Sequence, residues 1–150
     1  MEKSVAGLAA WLHAAALTVY ASSASVFRHF LKTLAGAERF PRVRIVRLGS
    51  EPVTAADFEA FRRHFVRGCI FINSLSSSET GTMTQLHLTH DDRVTESRLP
   101  VGRPAAGAEV LLLDDHGREA PAGATGEVVV RGRGLSPGYW RNDEIGRAHV

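Results

Sequence analysis

The 150-residue sequence predicts an α/β fold, in which part of a parallel sheet with flanking helices is followed by a small β-rich subdomain. Two patterns support this prediction. Residues 43–73 follow the order strand, loop, helix, strand, which produces two parallel strands joined by a crossover helix. After residue 85 the sequence becomes polar, with short apolar runs separated by glycine, as in proteins built from short strands.

The N-terminal part of the chain predicts two helices with a strand between them. Residues 8–16 repeat apolar side chains at helical spacing, and residues 17–22, LTVYAS, predict a short strand. The second helix is expected to begin between Ser22 and Ser25 and to stop at Gly36.

The next segment predicts the crossover unit. Residues 43–48, VRIVRL, predict a strand, and Thr54 with Asp57 three residues later predicts a capped helix start. Residues 69–73, CIFIN, predict the second strand. The polar segments GSEP and SLSSSETG each follow a strand, so both are expected at the carboxyl edge of the sheet, where parallel sheets bind ligands.

The C-terminal third predicts a separate β-rich region. AEVLLLD and GEVVVRG predict two strands with a turn at DHG. We expect residues 1–92 to form the α/β part and residues 93–143 the β-rich subdomain. Residues 144–150, EIGRAHV, resemble the in-frame translation of a sequencing-library adapter, and we expect them to be a non-native tail.

Composition excludes several classes of protein. Hydrophobic residues make up 44% of the chain and charged residues 23%, as in soluble globular proteins. The net charge is only +2 and no basic cluster is present, which argues against nucleic-acid binding. Trp11 and His13 interrupt the apolar N-terminal stretch, so we expect neither a membrane span nor export, and a cytoplasmic location. Cys69 is the only cysteine and is expected to be a buried structural thiol.

Two motifs in order carry a resemblance to a known family. NSLSSSETG stands where adenylate-forming enzymes have N-x-Tyr-Gly-Pro/Ser-Thr-Glu, and GEVVVRGRGLSPGYW stands where they have Gly-Glu-Leu-x-x-x-Gly-x-Gly-x-x-x-Gly-Tyr. GSEP precedes both motifs, and the resemblance covers residues 7–143. Within that superfamily, which includes acyl-CoA synthetases and luciferases, LTVYASSASVFRHFL and LSPGYWRN are most similar to the adenylation domains of nonribosomal peptide synthetases.

The resemblance implies the use of ATP and Mg²⁺. Glu79 matches the metal-binding carboxylate, and Ser78 matches the hydroxyl that meets a phosphate. Asn73 matches the residue that can bond the adenine edge, and Leu75 stands where the family has an aromatic ring that stacks on adenine. The loop that lies along the adenine is matched by Gly49, Ser50 and Glu51.

The same resemblance implies a pocket for the acid substrate. The matching positions are small, apolar or hydroxylic, and none is charged: Ala21, Val46, Leu48, Ser74, Thr82 and Met83. The family's phosphate loop, its Thr-Gly-Asp motif and its C-terminal catalytic Lys have no counterpart in this sequence. We therefore expect an internal fragment of the large N-terminal domain of such an enzyme, inactive on its own.

The function implied for the parent enzyme is ATP-dependent activation of a carboxylic acid, in the first place an amino acid, as an acyl-adenylate. The acyl group would pass to a phosphopantetheine thiol on a carrier-protein domain or to CoA. One alternative is an acyl-CoA or acyl-AMP ligase for a fatty or aryl acid. An alternative of another class is an inactive, non-catalytic remnant.

Several residues also have simpler interpretations. Glu79 could be a solvated loop carboxylate, and Ser76–Ser78 a flexible turn. HLTHDD, residues 87–92, contains metal-ligand residue types, but we expect it to be a solvated linker. Tyr139 and Trp140 are expected to pack within the β-rich subdomain.

Overall fold

A computed structural model describes residues 5–36 and 38–141. The helices are a 3₁₀ turn at Val5–Gly7, α1 at Leu8–Ala14, α2 at Ala24–Lys32 and α3 at Ala55–His64. The strands are β1 at Val19–Ser23, β2 at Ile45–Gly49, β3 at Ile70–Ser77, β4 at Gly81–Leu88, β5 at Arg103–Pro104, β6 at Ala108–Leu113 and β7 at Glu127–Gly132. No helix in these two ranges is long and apolar enough to cross a membrane.

Five strands form one mixed sheet in the order β1-β2-β3-β4-β5, and β6 pairs with β7 in a second sheet. The pairs β1–β2 and β2–β3 are parallel, which confirms the predicted strand–helix–strand unit, whereas β4–β5 and β6–β7 are antiparallel. The chain divides into two compact units. The first comprises residues up to Ser74 with Leu86–Gly102, and the second comprises Leu75–Gln85 with the residues from Arg103 onward.

The predicted domain division at residues 92 and 93 does not coincide with these units and stays a prediction for the longer protein. The proposed tail, residues 144–150, lies outside the described residues.

The core of the first unit is built from phenylalanine. All seven phenylalanines of the sequence are at most 2% exposed, and they come from α2, α3, β3 and the segments that flank α3 and β2. Rings of successive elements contact each other, as in Phe58 against Phe71 at 5.5 Å between centroids. Aromatic pairs at this spacing add a few tenths to about 1.5 kcal/mol each beyond the area that they bury.

Two predicted helix starts are confirmed. The Ser23 hydroxyl accepts a bond from the Val26 N–H at the first turn of α2. At α3, Thr54 and Asp57 form a capping box, in which each side chain accepts from the other's backbone N–H. Both starts depend on residues three positions apart, which is why the sequence alone could locate them.

The segment predicted as the loop SLSSSETG is a loop only in part. Strand β3 continues to Ser77, a turn occupies 78–80, and the unpredicted β4 begins at Gly81. The sequence prediction ended the strand where apolar residues stop. Backbone pairing with a neighbouring strand does not require apolar side chains, so serines can extend a strand that is solvated on one face.

The prediction that residues 87–92 form a solvated linker is wrong at His90, which is only 9% exposed. Its Nε2 donates to the carbonyl of Phe65 at 2.9 Å, and its ring lies 4.8 Å from that of Phe61. Polar neighbours on both sides of His90 concealed this packing in the sequence.

The two strands predicted in the C-terminal third are confirmed. Strands β6 and β7 pair in register from Ala108 opposite Gly132 to Leu113 opposite Glu127. The predicted turn after β6 is held by the Asp114 carboxylate, which accepts from the N–H groups of His116 and Arg118 at 2.9 and 3.0 Å.

Candidate functional site

The last position of β2, where the following loop begins, requires glycine. A Cβ atom on Gly49 would lie 2.8 Å from the carbonyl oxygen and 2.9 Å from the hydroxyl oxygen of Ser74 on the neighbouring strand. Ser50 follows with a φ of 64°, a left-handed conformation that costs a non-glycine residue about 1 kcal/mol. The loop is therefore a constrained turn that brings two strands close together.

The carboxylate of Glu51 fixes this loop to the first turn of α2. It accepts a bond from the Ser25 N–H at 2.8 Å and another from the Ser25 hydroxyl. These two bonds lower the pKa of Glu51, the hydroxyl bond contributing most. A negative charge at a helix N-terminus is also favoured by the helix dipole. Glu51 thus anchors the loop in this structure.

Arg28 of α2 forms a second link, which joins α2 to Asp57 of α3 and to the end of the loop. The Arg28 guanidinium donates from Nε and Nη2 to the two carboxylate oxygens of Asp57 at 2.8 and 2.7 Å. Its Nη2 also donates to the carbonyl of Pro52, at the end of the loop, at 3.0 Å. Helices α2 and α3 and the loop are therefore tied together by charge-assisted hydrogen bonds.

Asn73 and Ser74 occupy the last positions of β3 that belong to the first unit. Asn73 is 3% exposed and donates from Nδ2 to the carbonyl of Pro100 at 2.8 Å. Ser74 is 4% exposed, accepts from Arg47 Nε at 3.0 Å and donates to the carbonyl of Leu48 at 3.2 Å. Both side chains are held by neighbouring backbone or side-chain groups.

The predicted pocket residues of the first unit lie on two different faces of the sheet. Val46 and Leu48 are 0% exposed and belong to the core. The exposed Ala21 stands opposite Arg47 in the parallel register, and Arg47 bonds Ser74 on that same face. The structure therefore groups Ala21 and Ser74 with Arg47. In VRIVRL, polar and apolar residues alternate, and this alternation could have identified Arg47 as a residue on the face opposite the core.

The turn between β3 and β4, in the second unit, is held by two hydroxyl side chains. Ser77 Oγ and Thr80 Oγ1 are 2.8 Å apart, and the Thr80 N–H donates to Ser77 Oγ at 3.1 Å. Thr80 is 7% exposed, so it forms the buried base of the turn. Ser78 is exposed and Glu79 partly exposed at its tip, with Leu75 partly exposed on the strand before it.

Glu79 is itself held by the segment that carries the last predicted motif. The backbone N–H of Ser136 donates to the Glu79 carbonyl at 2.6 Å, and the Tyr139 hydroxyl donates to Glu79 Oε1. The Tyr139 bond is the main cause of a lowered pKa at Glu79, and the same contact raises the pKa of Tyr139. The carboxylate is therefore ionised and oriented at neutral pH.

The expectation that Tyr139 and Trp140 pack within the β-rich subdomain is wrong. Tyr139 is 48% exposed and Trp140 is 88% exposed. The sequence had predicted only a packing role for Tyr139. Its contact with Glu79 joins two motifs that are 60 residues apart.

The remaining predicted pocket residues, Thr82 and Met83, lie on β4. Met83 is 7% exposed and its carbonyl accepts from the Ala105 N–H at 2.8 Å, whereas Thr82 is partly exposed. Adjacent strand residues point to opposite faces, so these two side chains do not line the same surface.

The sequence model of the AMP-binding enzyme family matches residues 2–140. The chain belongs to this family of AMP-binding enzymes. It is 32% identical over 152 aligned positions to an L-proline–[L-prolyl-carrier protein] ligase of Streptomyces coelicolor, covering 98% of this chain and 28% of the relative. The chain therefore spans well under half of that protein.

Solved structures show the same fold. The crystal structure of VinN superposes with a TM-score of 0.79 at 23% identity, covering 95% of this chain and 36% of VinN. The N-terminal subdomain of Klebsiella oxytoca NpsA, in complex with 3-hydroxybenzoyl-AMSN, gives a TM-score of 0.71 at 21% identity and covers 93% and 35% of the two chains. The predicted α/β fold of an N-terminal subdomain is confirmed.

The side chains of this chain suit a magnesium ion that is shared with substrate phosphates, rather than a metal ion that is bound by protein ligands alone. In the parts of the chain that the structure describes, no three His, Cys, Asp or Glu side chains cluster as a metal site. Mg²⁺ commonly takes one or two carboxylates and completes its shell with water and substrate phosphates. Glu79, an ionised carboxylate at the tip of a turn, fits that requirement.

Cys69 takes no part in this candidate site. It is 1% exposed, and burial raises the pKa of its thiol to about 12. A thiol that stays protonated is a poor nucleophile, and the prediction of a buried structural residue is confirmed.

Proposed function

We propose that the full-length protein containing this chain uses ATP to activate a carboxylic acid as an acyl-adenylate and transfers the acyl group to a phosphopantetheine thiol. The feature that carries the proposal is the turn at 78–80, which presents a hydroxyl and an oriented carboxylate, in a chain that belongs to the AMP-binding enzymes. Because its reactants are ATP and a carrier thiol, a cytoplasmic location is part of the proposal.

The first half-reaction forms a bond between a carboxylate oxygen of the acid and the α-phosphorus of ATP, and breaks the bond to pyrophosphate. No side chain needs to form a covalent intermediate, so the protein acts by positioning and by electrostatic stabilisation. Bound Mg²⁺ would neutralise charge on the phosphates. Glu79 is the proposed ligand that holds it, and the Ser78 hydroxyl is the proposed donor to a phosphate oxygen.

The residues proposed to contact the adenine belong to the loop after β2 and to β3. Gly49 and Ser50 would lie along the base, while Glu51 keeps their loop fixed on α2. Asn73 would offer its amide oxygen to the adenine edge, because its Nδ2 donates to Pro100, and Leu75 would provide an apolar surface in place of the usual ring. A leucine gives a smaller dispersion contact than a ring, so we propose that the enzyme binds ATP with modest affinity.

We propose an amino acid as the substrate and a carrier protein as the acceptor. A relative that is 32% identical is by name a ligase of L-proline and the L-prolyl-carrier protein, which supports both choices. In the first unit, Ala21 and Ser74 are proposed to contact the acid, and the buried Val46 and Leu48 to support the strand beneath them. In the second unit, Thr82 is proposed to contact the acid, and the buried Met83 to support its strand.

The experiment is acid-dependent exchange of pyrophosphate into ATP by the full-length protein, with separate pools of amino, aryl and fatty acids. We expect exchange with one or a few amino acids, followed by loading of a carrier protein. Exchange only with an aryl or fatty acid, and acyl transfer to CoA, would identify the alternative ligase. The absence of exchange with every pool would indicate a non-catalytic remnant and refute the proposal.

A further inference from the structure

We propose that Tyr139 is a positioning residue that orients the carboxylate of Glu79 for its metal ion. This inference rests on the proposed function, because it assumes that Glu79 binds Mg²⁺. It assigns a task to a tyrosine in the LSPGYW segment for which the sequence predicted only packing.

Two contacts connect this segment to the turn that carries Glu79. The Ser136 N–H bonds the Glu79 carbonyl at 2.6 Å, which fixes the backbone of the turn, and the Tyr139 hydroxyl bonds Glu79 Oε1, which fixes the side chain. Each bond alone would leave the other part of the residue free to move. Together they determine both the position and the orientation of the carboxylate.

The segment is shaped so that Tyr139 reaches the turn. Gly138 donates from its N–H to Ser136 Oγ at 3.2 Å, and its φ of 128° lies in a region that side chains rarely adopt. The bond and the glycine conformation constrain the backbone between Ser136 and Tyr139. The backbone bond at one end and the phenol bond at the other are therefore parts of one local structure.

The chemistry of the contact leaves Glu79 able to bind a cation. A phenol donates one proton, so it uses lone-pair capacity on Oε1 and leaves Oε2 for a metal ion. A glutamate at an exposed turn would otherwise lose side-chain entropy when it binds a metal. Hydrogen bonds to a ligating carboxylate orient it, and removing such a partner commonly lowers metal affinity by about 10- to 100-fold.

A packing role does not explain the position of Tyr139. Its ring is 48% exposed, so its removal would uncover little core. The part of the side chain that makes a defined contact is the hydroxyl. The inference therefore predicts that loss of the hydroxyl alone, with the ring kept, changes metal binding.

The test compares Tyr139→Phe with Trp140→Phe in the full-length protein. Trp140 is the adjacent aromatic residue and is 88% exposed, which makes it a matched control. Isothermal calorimetry measures ATP binding at increasing Mg²⁺ concentration. We expect Tyr139→Phe to raise the half-saturating Mg²⁺ concentration about tenfold, the lower end of that range, while Trp140→Phe leaves it unchanged. The melting temperature of both variants should stay close to that of the unmodified protein.

A second comparison tests whether the effect passes through Glu79. In a Glu79→Gln background, Tyr139→Phe should cause no further loss of Mg²⁺-dependent binding, because the carboxylate that it orients is gone. A metal-free readout is the ¹³C shift of the Glu79 carboxylate at pH 7, which should change in Tyr139→Phe and not in Trp140→Phe.

The outcomes separate this inference from the proposed function. An unmodified protein that binds ATP with Mg²⁺, together with an unchanged Mg²⁺ requirement in Tyr139→Phe, would overturn the role of Tyr139 alone. A Tyr139→Phe effect of equal size in the Glu79→Gln background would overturn it as well. An unmodified protein without Mg²⁺-dependent ATP binding would overturn the proposed function and this inference with it.

Discussion

Replacement of Asp57 by alanine should be among the most destabilising single changes in the first unit. The carboxylate accepts four bonds, from Nε and Nη2 of Arg28 and from the N–H and hydroxyl of Thr54, all between 2.7 and 2.8 Å. Its side chain is 4% exposed, so the partners cannot be replaced fully by water.

The expected cost combines two losses. Loss of a helix cap costs about 1 kcal/mol, within a range of about 0.5 to 2. Loss of one partner of a fully buried ion pair costs about 3 to 5 kcal/mol, but Arg28 is 40% exposed, which reduces that figure to about 1 to 2. We therefore expect Asp57→Ala to lower the free energy of unfolding by about 2 to 3 kcal/mol.

The same pair predicts a dependence on pH. Burial raises the pKa of Asp57, but the bonds from Arg28 and Thr54 outweigh burial and hold it below the usual 3.8. The unfolded state therefore binds the proton more readily than the folded state does. The stabilisation is complete at neutral pH and is lost as pH falls through the lowered folded pKa, so the difference between the two proteins should stay constant at neutral pH and shrink once the pH falls toward 3.8 and below.

Urea unfolding followed by circular dichroism measures both effects. Glu59→Ala is the control, since this acid lies on the same helix but is 58% exposed, and its pair with Arg62 should contribute less than about 1 kcal/mol. A cost for Asp57→Ala no larger than that of Glu59→Ala, or a difference that does not change with pH, would refute the reasoning.

Three further predictions concern single positions. Gly49→Ala should lower the free energy of unfolding by about 1 to 3 kcal/mol, because the new Cβ would clash with Ser74. Gly36→Ala should be nearly neutral, because a Cβ there meets nothing within 4 Å. Thermal unfolding of both variants tests this, and equal melting temperatures would contradict it. Cys69 in the folded protein should resist iodoacetamide at pH 8, because its thiol stays protonated and buried, and it should react once urea unfolds the chain. Mass spectrometry measures the labelling, and rapid labelling of the folded protein would contradict the prediction. Leu75→Tyr in the full-length protein should tighten ATP binding about fivefold or more by stacking on the base, and unchanged calorimetric affinity would place Leu75 away from the adenine.

Local features of this chain could be predicted from the sequence. The Thr54 capping box follows from residues three positions apart, and the parallel unit of β2, α3 and β3 follows from the order of strand, loop, helix and strand along the chain. The extension of β3 to Ser77 could not, because a run of serines shows no alternation of apolar and polar residues, and residues 81–88 were not predicted as a strand.

The candidate site was predicted less completely than the fold. The resemblance supplied Ser78 and Glu79, which the structure places in one turn, and their roles toward phosphate and metal stay predictions. It could not supply Tyr139, because a hydrogen bond between exposed side chains 60 residues apart leaves no periodic signal. It also named Val46 and Leu48 as pocket residues; both are buried in the core of the first unit, and their role in a pocket stays a prediction.

The central claim is that Glu79 supports ATP-dependent activation of an acid, and the most direct measurement is pyrophosphate exchange by the full-length protein with Glu79→Gln. With the acid that gives the fastest exchange, we expect the rate to fall about a hundredfold at fixed Mg²⁺, because charge that the metal ion neutralises would be left unbalanced. Glu59→Gln, on the exposed face of α3, should keep the rate of the unmodified protein. Exchange in Glu79→Gln at the rate of the unmodified protein would contradict the claim.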